Sequence, residues 1–350
     1  MGNRKYFKTG SSLKLKSGNS LQGVCIAYDI YGTLNASKSN VVWVCHALTA
    51  DSDVRDWWPG TVEKGGFLDP DKWFVVCANI LGSHYGSTGP LSINPATGEP
   101  YYDDFPQLTV ADWVAAHQLL ADHLGIGGIY ALVGSSVGGF QAMEWIAEEP
   151  ARFKKLILIA TAPYATPWTI AIDETQRMAI FADGTYGERR PDAAQKGLAA
   201  ARAIGLLTYR GGRGYNISQR DPESDTIPLT HRANTYQQYQ GEKLVKRFDA
   251  YSYVSILNTF DTHDIGRNRG GYEKALSRIK ADTITVGITT DIIFPPYEIQ
   301  EWNRFIPSCT YREIKSPFGH DGFLVEHQQL NDILIPFMEA PLNKELNTIE

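Results

Sequence analysis

Ser136 stands at the centre of Gly134-Ser135-Ser136-Val137-Gly138, a G-x-S-x-G pentapeptide. In a nucleophile elbow the serine occupies a strained turn from strand to helix, and flanking small residues let two backbones approach. The apolar run Ile129–Val133 leads into the motif, and a helical pattern over Gly138–Glu149 leaves it and stops at Pro150. A motif centred on Ser135 would instead put Val133 and Val137 at the small-residue positions. The spacing assigns the nucleophile to Ser136.

A serine hydroxyl attacks a carbonyl only with a base beside it and a carboxylate orienting that base. After an elbow of this kind the acid comes next in the chain and the histidine last. Four histidines follow Ser136, at His231, His263, His320 and His327. His320 lies in Ser316-Pro317-Phe318-Gly319-His320-Asp321-Gly322, a loop between a strand pattern and a helix pattern, where the base belongs. His231 and His263 fall in a helix-rich stretch, and His327 falls on a terminal helix. Asp291 follows the strand pattern Thr283–Gly287 and precedes Phe294-Pro295-Pro296, at a strand's C-terminal end. An aspartate there would by itself read as a helix cap; combined with the elbow and the histidine loop it reads as the acid.

Negative charge on the attacked carbonyl needs backbone N–H donors. Val137, directly after the nucleophile, supplies one, and Leu48 in Cys45-His46-Ala47-Leu48-Thr49 is the choice for the other. His46 has no second ligand at metal spacing, so it reads as structural. The sequence carries no HExxH, Walker or dinucleotide motif and no pyridoxal-phosphate lysine motif; Gly125-Ile126-Gly127-Gly128 has the wrong glycine spacing. Neither a metal nor a cofactor is expected.

These groups need a scaffold. Short apolar runs bounded by turn residues recur at Val41–Cys45, Trp73–Ala78, Ile129–Val133, Leu156–Ala160, Thr283–Gly287 and Thr310–Ile314. Amphipathic helix patterns alternate with them, the clearest at Val110–Leu124, and a terminal helix is expected within His327–Ala340. That alternation predicts an α/β fold with a mostly parallel sheet covered on both faces. Residues 11–34 alternate around Ser17-Gly18-Asn19 and predict an opening hairpin. From Tyr164 to Asn268 the texture changes to helical stretches (Thr175–Ala182, Asp192–Leu207, Tyr236–Asn258) without a buried strand. The chain is therefore divided into a core, 1–163 with 269–350, and a helical insertion, 164–268.

The 350 residues are 43% hydrophobic, 21% charged and 11% aromatic, which excludes disorder and leaves room for one large domain or two small ones. A net charge of −6 argues against a nucleic-acid partner. The insertion is relatively basic, with 13 Lys/Arg against 12 Asp/Glu, which weakly favours an anionic ligand. Cys25, Cys45, Cys77 and Cys309 follow no metal or disulfide spacing and read as reduced, buried thiols. The opening MGNRKYFKTG has no apolar signal core, and no run of about 18 apolar residues occurs. The expectation is a soluble, cytoplasmic protein acting on small molecules.

The chain resembles the homoserine O-acetyltransferases, acyltransferases of the α/β-hydrolase fold, from about Asn40 to Glu326. The resemblance is carried by His46-Ala47-Leu48-Thr49, Asn79-Ile80-Leu81-Gly82, Gly86-Ser87-Thr88-Gly89-Pro90 and Asn94-Pro95-Ala96-Thr97-Gly98. It continues in Gln141-Ala142-Met143-Glu144-Trp145, Gln176-Arg177-Met178-Ala179-Ile180 and Arg247-Phe248-Asp249. It closes in Asp291-Ile292-Ile293-Phe294-Pro295-Pro296 and Gly319-His320-Asp321-Gly322-Phe323-Leu324. The resemblance implies an α/β-hydrolase fold with an inserted helical lid. It also implies ping-pong transfer of an acetyl group from acetyl-CoA, a co-substrate, through Ser136 to L-homoserine in methionine biosynthesis. It further implies a homodimer through the lid, Arg177 holding the substrate carboxylate, and Asp321 holding its ammonium.

Some positions depart from the family pattern. Ser135 and Val137 replace a glycine and a methionine of the elbow, and Ala50 replaces a glycine after His-Ala-Leu-Thr. Ala115, His117 and Tyr251 replace an arginine, a glutamine and an asparagine. Backbone donors survive all of these, so the departures bear on pocket shape. A serine O-acyltransferase, a homoserine O-succinyltransferase and an ester hydrolase using the same triad remain alternatives. A non-catalytic binding protein on a decayed hydrolase fold is disfavoured, because all three triad members are present in order.

Overall fold

The computed structural model describes residues 4–342. Its strands are β1 (Lys5–Lys8), β2 (Leu13–Lys14), β3 (Ser20–Leu21), β4 (Cys25–Tyr31), β5 (Val41–Cys45), β6 (Phe74–Ala78), β7 (Ile129–Ser135), β8 (Phe153–Ile159), β9 (Asp282–Ile288) and β10 (Cys309–Ile314). Eight form one sheet in the order β1-β4-β6-β5-β7-β8-β9-β10, with β1–β4 and β4–β6 antiparallel and every later pairing parallel. The central strands read as unbroken apolar runs, Val-Val-Trp-Val-Cys in β5 for example, because helices bury both of their faces.

The helices are α1 (Val54–Trp57), α2 (Val110–His123), α3 (Val137–Glu148), α4 (Pro167–Phe181), α5 (Gln195–Tyr209), α6 (Gly212–Ser218), α7 (Arg232–Val245), α8 (Ala250–Phe260), α9 (Tyr272–Leu276), α10 (Pro296–Asn303), α11 (Gly322–Val325) and α12 (His327–Glu339). Two apolar cores result. Trp43, Trp113, Phe140 and Trp145 pack under α2 and α3, while Trp58, Ile157, Leu330 and Leu334 pack on the opposite face under α12. This is the mostly parallel sheet, covered on both faces, that the strand and helix alternation anticipated, and its strand order fits the α/β-hydrolase fold that the resemblance implied.

The differences from the sequence reading have local causes. The opening hairpin forms only between β2 and β3, across Ser17-Gly18-Asn19 with Gly18 at φ 89°. β4 leaves it to join the main sheet, and β1, short and mostly exposed, carries no apolar signal. Helix α4 begins eight residues before the expected Thr175: Thr166 caps it by accepting the Thr169 N–H at 3.2 Å, and Pro167 opens the first turn. The single helix expected over Tyr236–Asn258 is two, because Asp249 accepts the Ser252 N–H at 2.8 Å and starts α8 afresh. Between β8 and β9 the described residues form α4–α9 and no strand, and an isolated bridge pairs Tyr164 with Asp264. No helix among the described residues is long and apolar enough to cross a membrane.

Candidate active site

Strand β7 ends at Ser135 and α3 begins at Val137, leaving Ser136 alone in the turn at φ 54° and ψ −127°. Positive φ is costly for a residue with a Cβ, so the surroundings must hold it there. They do so through Ser136 N–H to Ile159 O at 2.9 Å and Thr161 Oγ1 to Ser136 O at 2.8 Å. A Cβ on Gly134 would strike the Gly138 carbonyl, and one on Gly138 would strike the Cys45 carbonyl. The two glycines are thus required at the positions the register assigned. Ser135, 1% exposed, points into the protein, where its hydroxyl has no hydrogen-bond partner.

His320 reaches Ser136 from a single 3-10 turn, Gly319–Asp321, that follows β10. Its Nε2 lies 2.8 Å from Ser136 Oγ, and its Nδ1 lies 2.7 Å from Asp291 Oδ2. A neutral imidazole with its proton on Nδ1 satisfies both contacts: it donates to Asp291 and accepts from the serine. Asp291 follows β9, and its Oδ1 accepts the N–H groups of Ile293 at 2.8 Å and Phe294 at 3.1 Å. The carboxylate is therefore held at both oxygens. Burial by itself lowers the basicity of His320, but the charge and hydrogen bond of Asp291 outweigh it, and the pKa lies above the ordinary 6.5. The other histidines after Ser136 are elsewhere. His263 stacks on Phe140 at 4.1 Å and is pushed by burial down to about 3, and His231 pairs with Asp221 at 2.6 Å.

The backbone N–H groups of Val137, at the start of α3, and Leu48, in the loop after β5, donate to no protein acceptor among the described residues. Leu48 lines the same cavity as Ser136. One buried amide ties the two segments together. Gln141 Nε2 donates to His46 O at 3.2 Å and to Val137 O at 3.3 Å, while Gln141 Oε1 lies 2.9 Å from His117 Nε2. Burial lowers His117 to about 4, so at neutral pH its uncharged ring donates to the amide and sets its orientation. His46 is structural, as its spacing indicated: its Nδ1 bonds Ala47 O at 2.8 Å, and its Nε2 accepts the Ile80 N–H at 3.1 Å.

Ser136 and His320 open into a cavity of about 530 Å³, a volume suited to a small ligand. Helices α4, α5, α7 and α8 roof it with Asp173, Arg202, Tyr209, Lys243 and Phe260 among others. Asp321 lines it, paired to Arg210 at 3.1 Å, and burial holds its carboxyl above the usual range despite Arg210 and Arg202. Arg177 is not brought there. Its guanidinium is spent on Asp261 and Glu174, each at 2.8 Å, and it does not line the cavity. Two guanidinium groups line the cavity without a carboxylate within 4.0 Å among the described residues, those of Arg247 and Arg202, and Arg202 lies over the Tyr209 ring at 5.5 Å. Sequence reading missed Arg202 and Tyr209, seven residues and two helical turns apart on α5, because the helix expected over Asp192–Leu207 held the first and stopped short of the second. Burial and the neighbouring Asp261 push Asp173 well above the carboxylate range. Of the departures from the family pattern, Ala50 lines the cavity. Tyr251 instead accepts the N–H groups of Gly187 at 3.2 Å and Arg189 at 3.0 Å.

The arrangement can acylate a serine, stabilise the oxyanion and pass the acyl group to a second nucleophile. Comparison with known proteins bears on the family and the fold. The alpha/beta hydrolase fold family matches residues 40–327. A homoserine O-acetyltransferase of Cyclobacterium marinum is 44% identical over 336 residues, covering 95% of each chain. The solved homoserine O-acetyltransferase of Bacillus anthracis superposes with TM-score 0.89 over 97% of this chain and 98% of its own; at 23% identity it speaks for the fold alone. Esterase E22 superposes with TM-score 0.88 at 25% identity, over 97% of this chain and 100% of its own.

Proposed function

The chain belongs to the homoserine O-acetyltransferase family on the alpha/beta hydrolase fold and is an enzyme of that kind, and on that premise we propose a two-step transfer through Ser136. In the first step His320 takes the hydroxyl proton as Ser136 attacks the thioester carbonyl of acetyl-CoA, with the Leu48 and Val137 N–H groups facing the oxyanion. Collapse expels the thiolate, which receives the proton from His320, and leaves an acetyl ester on Ser136. In the second step His320 takes the proton of the L-homoserine hydroxyl, which attacks that ester; O-acetylhomoserine leaves and the serine recovers its proton. Asp291 keeps the imidazole oriented and stabilises its charged form in both steps.

The observation that carries this reading is the unbroken Ser136–His320–Asp291 hydrogen-bond chain opening into a cavity roofed by α4–α8. We read residues 164–268 as the lid that excludes water, so that the acyl-enzyme survives until an amino acid arrives. Arg202, rather than Arg177, meets the acceptor's carboxylate, and Asp321 meets its ammonium. Acetyl-CoA is a co-substrate, and neither cofactor nor metal takes part. Exposed Met178, Phe181 and Leu207 on the lid favour a homodimer, and the homoserine O-acetyltransferase relatives favour a cytoplasmic place in methionine biosynthesis.

Incubating the protein with acetyl-CoA and following thiol release, the mass of the acyl-enzyme and the products tests the assignment. A burst of thiol, an acetyl adduct on Ser136 and O-acetylhomoserine in preference to acetate are expected. Preferential acetate in the presence of homoserine would make it an esterase, the activity in the name of the structural neighbour E22. Succinyl-CoA and L-serine in parallel reactions decide the acyl group and the acceptor.

A further inference from the structure

Three cations line the cavity that holds Ser136, and they lie at different depths. Arg202 sits over Tyr209, whose ring centroid is 6.2 Å from that of His320, so it belongs to the reacting end. Lys243, in the last turn of α7, and Arg247, four residues on, line the cavity too but are exposed, which puts them at its mouth. Neither has a carboxylate within 4.0 Å among the described residues. Arg247 is nevertheless held: it donates to Thr49 O at 2.7 Å and also to the Tyr85 hydroxyl. A cation fixed in place without a counter-charge loses little freedom on meeting an anion. The lining carboxylates of the loop after β5 and of α1 are Asp51 and Asp56, and Asp51 is already paired with Arg4 at 2.9 Å. The mouth therefore has a basic side on α7 and the turn after it, and an acidic side on α1.

Resting on the acyl-CoA reading above, we propose that Lys243 and Arg247 form the seat for the phosphates of the acyl donor. A donor that delivers its acyl carbon to Ser136 must thread its pantetheine arm through the cavity. A space of about 530 Å³ admits the arm and the acceptor and leaves the nucleotide end outside. The phosphates then meet the two free cations of the rim, where charge-assisted hydrogen bonds form, Arg247 presenting a fork and Lys243 a point charge. Asp56 directs the nucleotide away from α1 by repulsion. The rim thus selects a phosphorylated thioester over a simple acyl ester, and a seat of this kind is one means by which a transferase departs from an esterase on the same scaffold.

The test compares acylation of the full-length protein by acetyl-CoA and by acetyl-pantetheine, which has the same thioester and no phosphate. The readout is the ratio of the two thiol-release rates at limiting donor, for wild type, Lys243→Ala, Lys243→Arg and Arg247→Ala. The ratio is expected to fall about tenfold or more in the alanine variants and to return with Lys243→Arg. Raising the salt concentration should lower the acetyl-CoA rate and spare the acetyl-pantetheine rate. Because each variant is its own control, a change in folding or in the Thr49 loop moves both rates together and leaves the ratio alone. Ratios equal to wild type in both alanine variants overturn the seat. A wild type that acetyl-CoA does not acylate, but a simple acetyl ester does, overturns the donor reading and the seat with it.

Discussion

Arg177 Nη2 lies 2.8 Å from Asp261 Oδ2, so the cation that family resemblance offers to the substrate is already neutralised inside the protein. The pair joins α4 to the end of α8, with Glu174 as a second partner one turn back. Removing one member of a mostly buried pair leaves the other charge without compensation. Arg177→Met is therefore expected to cost about 2–4 kcal/mol of stability, read by denaturant unfolding, and to leave the KM for homoserine nearly unchanged in the folded fraction. Arg202→Met should do the reverse, raising that KM by about tenfold or more at near-normal stability. A raised KM in Arg177→Met alone would return the carboxylate to Arg177.

The adjacent serines separate cleanly. Ser136→Ala should abolish the acyl adduct seen by mass spectrometry after incubation with acetyl-CoA. Ser135→Ala should preserve it and leave stability equal or slightly higher, because the Ser135 hydroxyl is buried without a partner. Label recovered on Ser135 would contradict the register.

The acid limb of the rate profile should belong to His320. Only the neutral imidazole can accept the Ser136 proton, so acylation falls as pH drops through its pKa, which Asp291 holds above 6.5. Asp291→Asn removes the charge that raises it. The midpoint should then move to lower pH and the plateau rate should fall by about 10³–10⁴-fold. The double variant with His320→Ala should be scarcely worse than His320→Ala alone, since the groups act as a unit. An unmoved midpoint would show that another group titrates.

Gln141 should govern the rate through the oxyanion donors. Its amide ties the His46 and Val137 carbonyls, which flank the two candidate N–H groups. Gln141→Leu keeps the volume and removes the tie; kcat is expected to fall about 10–100-fold with KM for acetyl-CoA changed less than threefold. Equal loss in both constants would mean general disorder of the site.

The elbow, its base and its acid were legible in the one-dimensional sequence because each depends on local constraints. Gly134 and Gly138 have no room for a Cβ, Ser136 must sit between strand and helix, and the His320 and Asp291 loops follow strands of recognisable pattern. The parallel sheet was legible for the same reason, since strands buried on both faces are apolar throughout. The roof of the cavity was not. An arginine on a helix has no local mark that separates an internal ion pair from a ligand contact. Arg177 and Arg202 both lie on helical patterns, and only the packing of α8 against α4 brings Asp261 to the first and leaves the second facing Tyr209. His117 and Gln141, 24 residues apart and on different helices, become one strut only where α2 and α3 meet against β5. Chemistry that depends on backbone strain and chain order was decided by the sequence alone. Which charged side chains were left free to meet a ligand was decided by long-range packing, because a charge is spent or available only according to what folds against it.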